Sequence, residues 1–149
     1  MAGRVTDAVA YSGTNSLEIV GNRDDVVPNW PVVDSGDYVL TAMQYVPATT
    51  GGAVWFWAYG PGTIVINCDT GKVYVNDLDS ATRVEADLLR DQWVELKIAM
   101  YLDINTCDFY YGDVLLGTRE CTDSSGVDIW PNDEIVAIYY DDFRFEAAD

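Results

Sequence analysis

The 149-residue chain carries 25 acidic and 8 basic side chains, a net charge of −17, and no His. That sign argues against nucleic acid, anionic membranes and acidic glycans as partners. The missing His removes the usual general base, most zinc sites and the Ser-His-Asp triad. The 49% hydrophobic content is ordinary for a globular protein, and the aromatic share of 13%, with 5 Trp and 10 Tyr, is on the high side.

In chain order, residues 1–10 read as a lead-in. Turn residues Ser12, Gly13, Thr14 and Asn15 then announce a strand from Ser16 to Val20. A loop through Asn22–Asp25 and Pro28–Pro31 ends at Ser35-Gly36, and Tyr38 to Val46 is a strand stopped by Pro47. After the Gly51-Gly52 turn, Ala53 to Tyr59 carries Val54, Phe56 and Ala58 on one parity and Trp55, Trp57 and Tyr59 on the other. Thr63 to Asn67 and Lys72 to Val75 form a hairpin around Asp69-Thr70-Gly71. Residues 76–90 are acidic and irregular, and read as a loop with a brief strand.

The longest strand follows. From Trp93, the residues Val94, Leu96, Ile98, Met100 and Leu102 alternate with Trp93, Glu95, Lys97, Ala99 and Tyr101, which predicts one buried face and one mixed aromatic and polar face. The chain turns at residues 103–106 and returns through Cys107–Tyr111 as a long hairpin, with Val114–Thr118 after Gly112-Asp113. Residues 121–131 read as a loop, and Glu134 to Glu146 as the last strand or pair of strands. Many short strands with no convincing helix predict an all-β antiparallel two-sheet sandwich, a jelly roll, over residues 1–149 as one domain.

The stretches SGTNSLEI, SGDYVLTAMQYVP, DQWVELKIAMYLDINTCDFYYGDVLL and IYYDDFRFE, in this order, resemble a concanavalin A-like jelly roll. The resemblance is to its laminin-G-like and bacterial carbohydrate-binding module types, and covers Tyr11 to Phe145. It implies the fold far more than the function, since such folds host sugar binders, glycosidases, adhesion modules and capsid proteins; with the row of aromatics, the expected role is a non-catalytic, lectin-like module that stacks neutral oligo- or polysaccharide on a concave sheet. The ligand set would be Trp55, Trp57 and Tyr59, with Trp93, Glu95, Lys97 and Tyr101 adding polar groups. It also implies a structural Ca²⁺ near Asp141 and Asp142, of which strand alternation lets only one be a ligand.

The alternatives stay open at this point. The aromatics at 55, 57 and 59 are either a platform or core, Glu95 and Lys97 either hold sugar or form a solvated pair, and Asp141-Asp142 either binds calcium or pairs with Arg144. The rival function is a structural or adhesive role, such as a virion decoration protein or an extracellular assembly subunit with a protein partner. An enzyme is not expected, because the Glu-x-Asp-x-x-Glu pattern of the laminarinase-like branch is met only by Glu85-Ala86-Asp87-Leu88-Leu89-Arg90. Three Cys fit no zinc or redox motif, and Cys107 with Cys121 is the favoured pair if the compartment oxidises. No apolar run reaches the ~20 residues of a membrane span. Residues 1–13 lack the apolar core of a signal peptide. The chain is therefore expected either not to use that export route or to be a module of a larger exported protein, extracellular or at the cell surface.

Overall fold

A computed structural model describes residues 3–21 and 24–148. The strands are β1 (Arg4–Thr6), β2 (Ser16–Ile19), β3 (Asn29–Val33), β4 (Asp37–Tyr45), β5 (Ala53–Tyr59), β6 (Gly62–Asn67), β7 (Lys72–Val75), β8 (Ala86–Asp87), β9 (Trp93–Tyr101), β10 (Thr106–Tyr111), β11 (Val114–Glu120), β12 (Ser124–Pro131) and β13 (Ile138–Ala147). They form two antiparallel sheets, a seven-stranded one ordered β1-β2-β13-β4-β9-β10-β11 and a six-stranded one ordered β3-β12-β5-β6-β7-β8. The fold is a jelly-roll β-sandwich. Among the described residues no helix is long and apolar enough to cross a membrane.

Strand alternation builds the core. Val54, Phe56 and Ala58 of β5 and Leu96, Ile98 and Met100 of β9 are all fully buried, and they belong to one cluster with Leu40, Phe109, Ile129 and Tyr140. Each sheet therefore spends one face on this shared core and turns the other outward. The buried Tyr140 hydroxyl is satisfied by Gln44 Nε2 at 2.8 Å.

The hairpin expected around residues 103–106 forms through a short 3₁₀ turn, Leu102–Ile104, with Asn105 in the left-handed region at φ 54°. Asn tolerates that conformation better than most non-glycine residues. Cys107 and Cys121 are disulfide-bonded, with Cα atoms 5.8 Å apart, across the β10–β11 arm, and Cys68 is free and buried.

Three stretches read as loop or lead-in are strands. Residues 4–6 form β1 at one sheet edge, and β3 forms the edge of the other despite containing Pro31. Proline is tolerated where one side of the strand has no partner. The third, β12, lies between β3 and β5. Its Ser124-Ser125-Gly126 opening has turn chemistry, but Val127 and Ile129 behind it are fully buried.

Candidate functional site

Because β5 commits Val54, Phe56 and Ala58 to the core, Trp55, Trp57 and Tyr59 face outward from the six-stranded sheet, with Trp57 47% exposed. The rings are a surface feature and not core. Register sets their neighbours: Trp130 of β12 pairs with Trp55, Asp128 with Trp57, and Gly126 with Tyr59, while on the other side Val65 pairs with Trp55 and Thr63 with Trp57. The Trp55 and Trp130 rings lie 5.2 Å apart at 34°, and Trp57 meets Tyr59 edge-on at 5.1 Å. Trp55, Trp57, Trp130, Thr63, Asn76 and Asp128 line one cleft of about 270 Å³. On the β7 side the outward row ends at Tyr74, whose ring carries the Arg83 guanidinium 4.0 Å from its centre.

Asp128 is the unusual polar group of this cleft. Burial raises its carboxyl, the neighbouring Asp25 carboxyl raises it further, to about 6, and the Tyr59 hydroxyl opposes this from 3.5 Å. Its Oδ1 is buried without a hydrogen-bond partner among the described residues. A lone buried carboxylate oxygen is costly, and protonation is the ordinary relief. The Tyr59 hydroxyl is itself raised by burial and by both acids.

The remaining expected ligands lie elsewhere. Trp93, Glu95, Lys97 and Tyr101 face outward from β9, in the seven-stranded sheet, on the opposite side of the molecule. They and the β5 aromatics cannot touch one ligand, since each sheet turns its other face to the common core. There, cross-strand register gives the row Arg4, Glu18, Tyr139, Tyr45 and Trp93. Glu18 is nearly buried and bonded to Arg4 Nε at 2.5 Å, and Tyr11 packs edge-on against Trp93 at 5.9 Å. Glu95 and Lys97 do not form an ion pair among the described residues. Lys97 instead sits 4.4 Å from the centre of the Tyr110 ring, while Glu95 joins Tyr11, Thr41, Met43, Asp142, Arg144 and Glu146 around a second cleft of about 290 Å³. Of the loop aromatics, Trp30 stacks on Phe145 at 4.1 Å against the core, and only Trp130 walls the first cleft.

Asp141 and Asp142 lie at a bulge where β13 shifts register between Asp141 and Arg144, and Asp142 takes φ 48°. The bulge breaks the alternation that would separate them, so both reach one loop. Asp141 Oδ2 accepts from Tyr11 N (2.9 Å) and Ser12 N (3.1 Å), its Oδ1 accepts from Asp142 N (2.8 Å), and Ser12 Oγ donates to Asp142 Oδ1 at 2.5 Å. Partial burial pushes Asp141 up, but the N–H bonds from Ser12, Tyr11 and Asp142 outweigh it and hold the carboxyl below its usual range. The groups around Asp141 are N–H donors, whereas calcium needs oxygens. As arranged, the residues suit a carboxylate that anchors a loop rather than a cation, and no ion pair joins Asp141 or Asp142 to Arg144 among the described residues.

Sequence reasoning missed Asp25, Thr63, Asn76 and Asp128, and it placed Trp130 with Trp30 and Tyr110 as loop aromatics able to wall a cleft or plug an end of the sandwich. Trp130 and Asp128 were legible in principle, since Val127 and Ile129 alternate with them immediately after Gly126.

No family model matches the chain, and no curated protein matches it. Solved structures do, at the level of fold. A cellulose-induced protein, Cip1, superposes with a TM-score of 0.65 at 14% identity, over 99% of this chain and 87% of its own. The carbohydrate-binding module CBM66 from Bacillus subtilis matches with a TM-score of 0.56 at 11% identity, over 97% and 92%. A sialidase gives 0.68 at 7% identity over 91% of this chain, which spans only 15% of the sialidase chain. What these structures share with the chain is the two-sheet jelly-roll sandwich, consistent with a concanavalin A-like fold.

These comparisons correct one expectation, that the chain is not an enzyme. The catalytic domain of a glycoside hydrolase family 131 protein from Coprinopsis cinerea shares the fold with a TM-score of 0.65 at 9% identity, and an alginate lyase from Corynebacterium sp. with 0.58 at 13%. This sandwich can carry catalysis, so the missing His and the incomplete Glu-x-Asp-x-x-Glu pattern do not rule it out.

Proposed function

We propose that the cleft on the six-stranded sheet binds neutral carbohydrate, with pyranose faces against Trp57, Trp55 and Trp130 and sugar hydroxyls bonded to Asp128, Thr63 and Asn76. The observation that carries this reading is the exposure of two indoles, Trp57 at 47% and Trp130 at 57%, in one cleft with three polar side chains. Large aromatics left in solvent beside a few convergent polar groups are what an amphipathic ligand requires. The strong negative charge disfavours acidic glycans. The fold likeness to CBM66 and to the lectin-like defense protein arcelin-5 of Phaseolus vulgaris supports the same reading. The disulfide supports an oxidising, extracellular or cell-surface setting.

The test is affinity electrophoresis through gels containing neutral glucans, xylan or mannans. Trp57→Ala is expected to abolish retardation while leaving the thermal transition nearly unchanged, because the ring is half exposed. Trp93→Ala, on the opposite sheet, is expected to keep it. Equal loss in both variants, or no retardation of the wild type by any polysaccharide, would favour a protein partner in an assembly.

A further inference from the structure

The outward row that begins in the cleft does not stop at its edge. Register carries it across four strands, from Trp130 of β12 through Trp55 of β5 and Val65 of β6 to Tyr74 of β7. At about 4.8 Å between neighbouring strands, three intervals make a track of about 14 Å, longer than a single sugar ring needs. The row beside it ends nearby at Asn76, whose N–H extends the ladder by donating to the Thr63 carbonyl at 3.0 Å. Val65 faces away from the core, between the core residues Ile64 and Ile66, yet is only 2% exposed. Its cover therefore comes from the outer face, where Trp55 and Tyr74 flank it and close the floor between them.

The far end of the track is built around Arg83. Its guanidinium lies 4.0 Å from the centre of the Tyr74 ring, and its Nη2 donates to Glu85 Oε1 at 3.0 Å. The backbone that carries it is fixed on both sides: Arg83 N donates to the Asp79 carbonyl at 2.9 Å, and Val84 N to that of Leu116 at 3.0 Å. The side chain is 17% exposed, so most of the freedom lost in ordering it is lost in folding and not on binding.

Resting on the glycan reading, we propose that Arg83 and Tyr74 form a further sugar subsite at the β7 end of the track, so that the preferred ligand is an extended linear neutral glycan and not a single sugar. A guanidinium only donates, and sugar hydroxyls accept. Its planar fork, held by the Tyr74 ring, meets two neighbouring hydroxyls at once, as a rotating ammonium does not. Glu85 already pairs with this guanidinium, so a carboxylate-bearing sugar gains little there over a neutral one. Short ligands seat on the indoles alone, and only longer ones reach Arg83.

Calorimetry with β-1,4-linked gluco-, xylo- and manno-oligosaccharides, from disaccharide to hexasaccharide, reads the subsite directly. Wild type is expected to bind more tightly as the chain lengthens, until the track is filled. Arg83→Ala should weaken the hexasaccharide by about tenfold, the scale of a hydrogen bond to a charged group, and leave the disaccharide unchanged. Arg83→Lys should behave likewise, since it keeps the charge but not the planar fork, whereas Tyr74→Phe, which keeps the ring, should bind as wild type does. Equal weakening by Arg83→Ala at every length would make Arg83 a support of the cleft. That result, affinity that does not vary with length, or a hexasaccharide bound equally by wild type and Arg83→Ala overturns the subsite and leaves the glycan reading standing. No binding of any oligosaccharide, together with no retardation by any polysaccharide, overturns both.

Discussion

Asp141 and Asp128 lie on different sheets, and their surroundings perturb them in opposite senses, so they should tilt the pH dependence of stability in opposite directions. Asp141 is held ionised by backbone N–H groups, and its contribution is present above the ordinary aspartate range and lost as pH falls through its lowered value. Asp128 favours its protonated form in the fold. Below about pH 4 it costs nothing, and from there to about pH 6 the folded chain holds a proton that the unfolded chain has released, so stability falls as pH rises through that window. Thermal melts between pH 3 and 8 should show Asp128→Asn flattening the upper window and leaving the acid limb intact. Asp141→Ala should cost about 1–3 kcal/mol at neutral pH, the scale of hydrogen bonds to a charged group. Chelator should leave the wild-type transition in place. A chelator-sensitive transition would restore calcium to this loop.

At the scale of elements, the β9–β10–β11 arm is held by more than its ladder. The disulfide between Cys107 and Cys121 spans 14 positions and joins two core residues. Closing a loop of that size constrains the unfolded chain by about 3 kcal/mol. Reduction should therefore lower the midpoint by about 6–12 °C, at roughly 2–4 °C per kcal/mol for a chain this long. Burial raises the thiol of Cys68 to about 11, so the native protein should show almost no reactive thiol until it unfolds, which a thiol reagent can check with and without denaturant. Arg90 ties separate turns together: its Nη1 donates to the carbonyls of Pro47 (3.1 Å) and Thr50 (2.8 Å) and its Nη2 to that of Cys68 (2.5 Å). In the sequence this residue appeared only as the wrong ending of a catalytic pattern.

What could be read in advance follows how local each determinant is. Alternation along β5, β7 and β9 depends on a strand's own residues, and the bounds 53–59, 72–75 and the start at Trp93 emerge from it directly. The outward direction of Trp55, Trp57 and Tyr59 follows from the same parity. Which sheet receives each strand is set by pairings distant in the chain, and for that reason Trp93, Glu95, Lys97 and Tyr101 could be grouped with the β5 aromatics although the sandwich puts its core between them. The bulge at Asp142 and the strand at 124–131 escaped notice because turn-forming residues are tolerated where neighbouring strands supply the partners.

For the whole molecule, the position of β13 decides how the fold can be completed. It lies between β2 and β4, so the seven-stranded sheet has a gap until the last strand arrives. Truncation after Asn132 should abolish the cooperative thermal transition, whereas removing residues 1–6, whose β1 is an exposed edge, should leave one, as calorimetry of the two truncations would show. Such long-range closure also places folding in the slow, millisecond-to-second class of all-β domains.

The first and last strands, β1 and β13, belong to the same sheet, and it is the one whose outer face points away from the indole cleft. Whatever is joined to either end is therefore tethered to the sheet that does not carry the cleft.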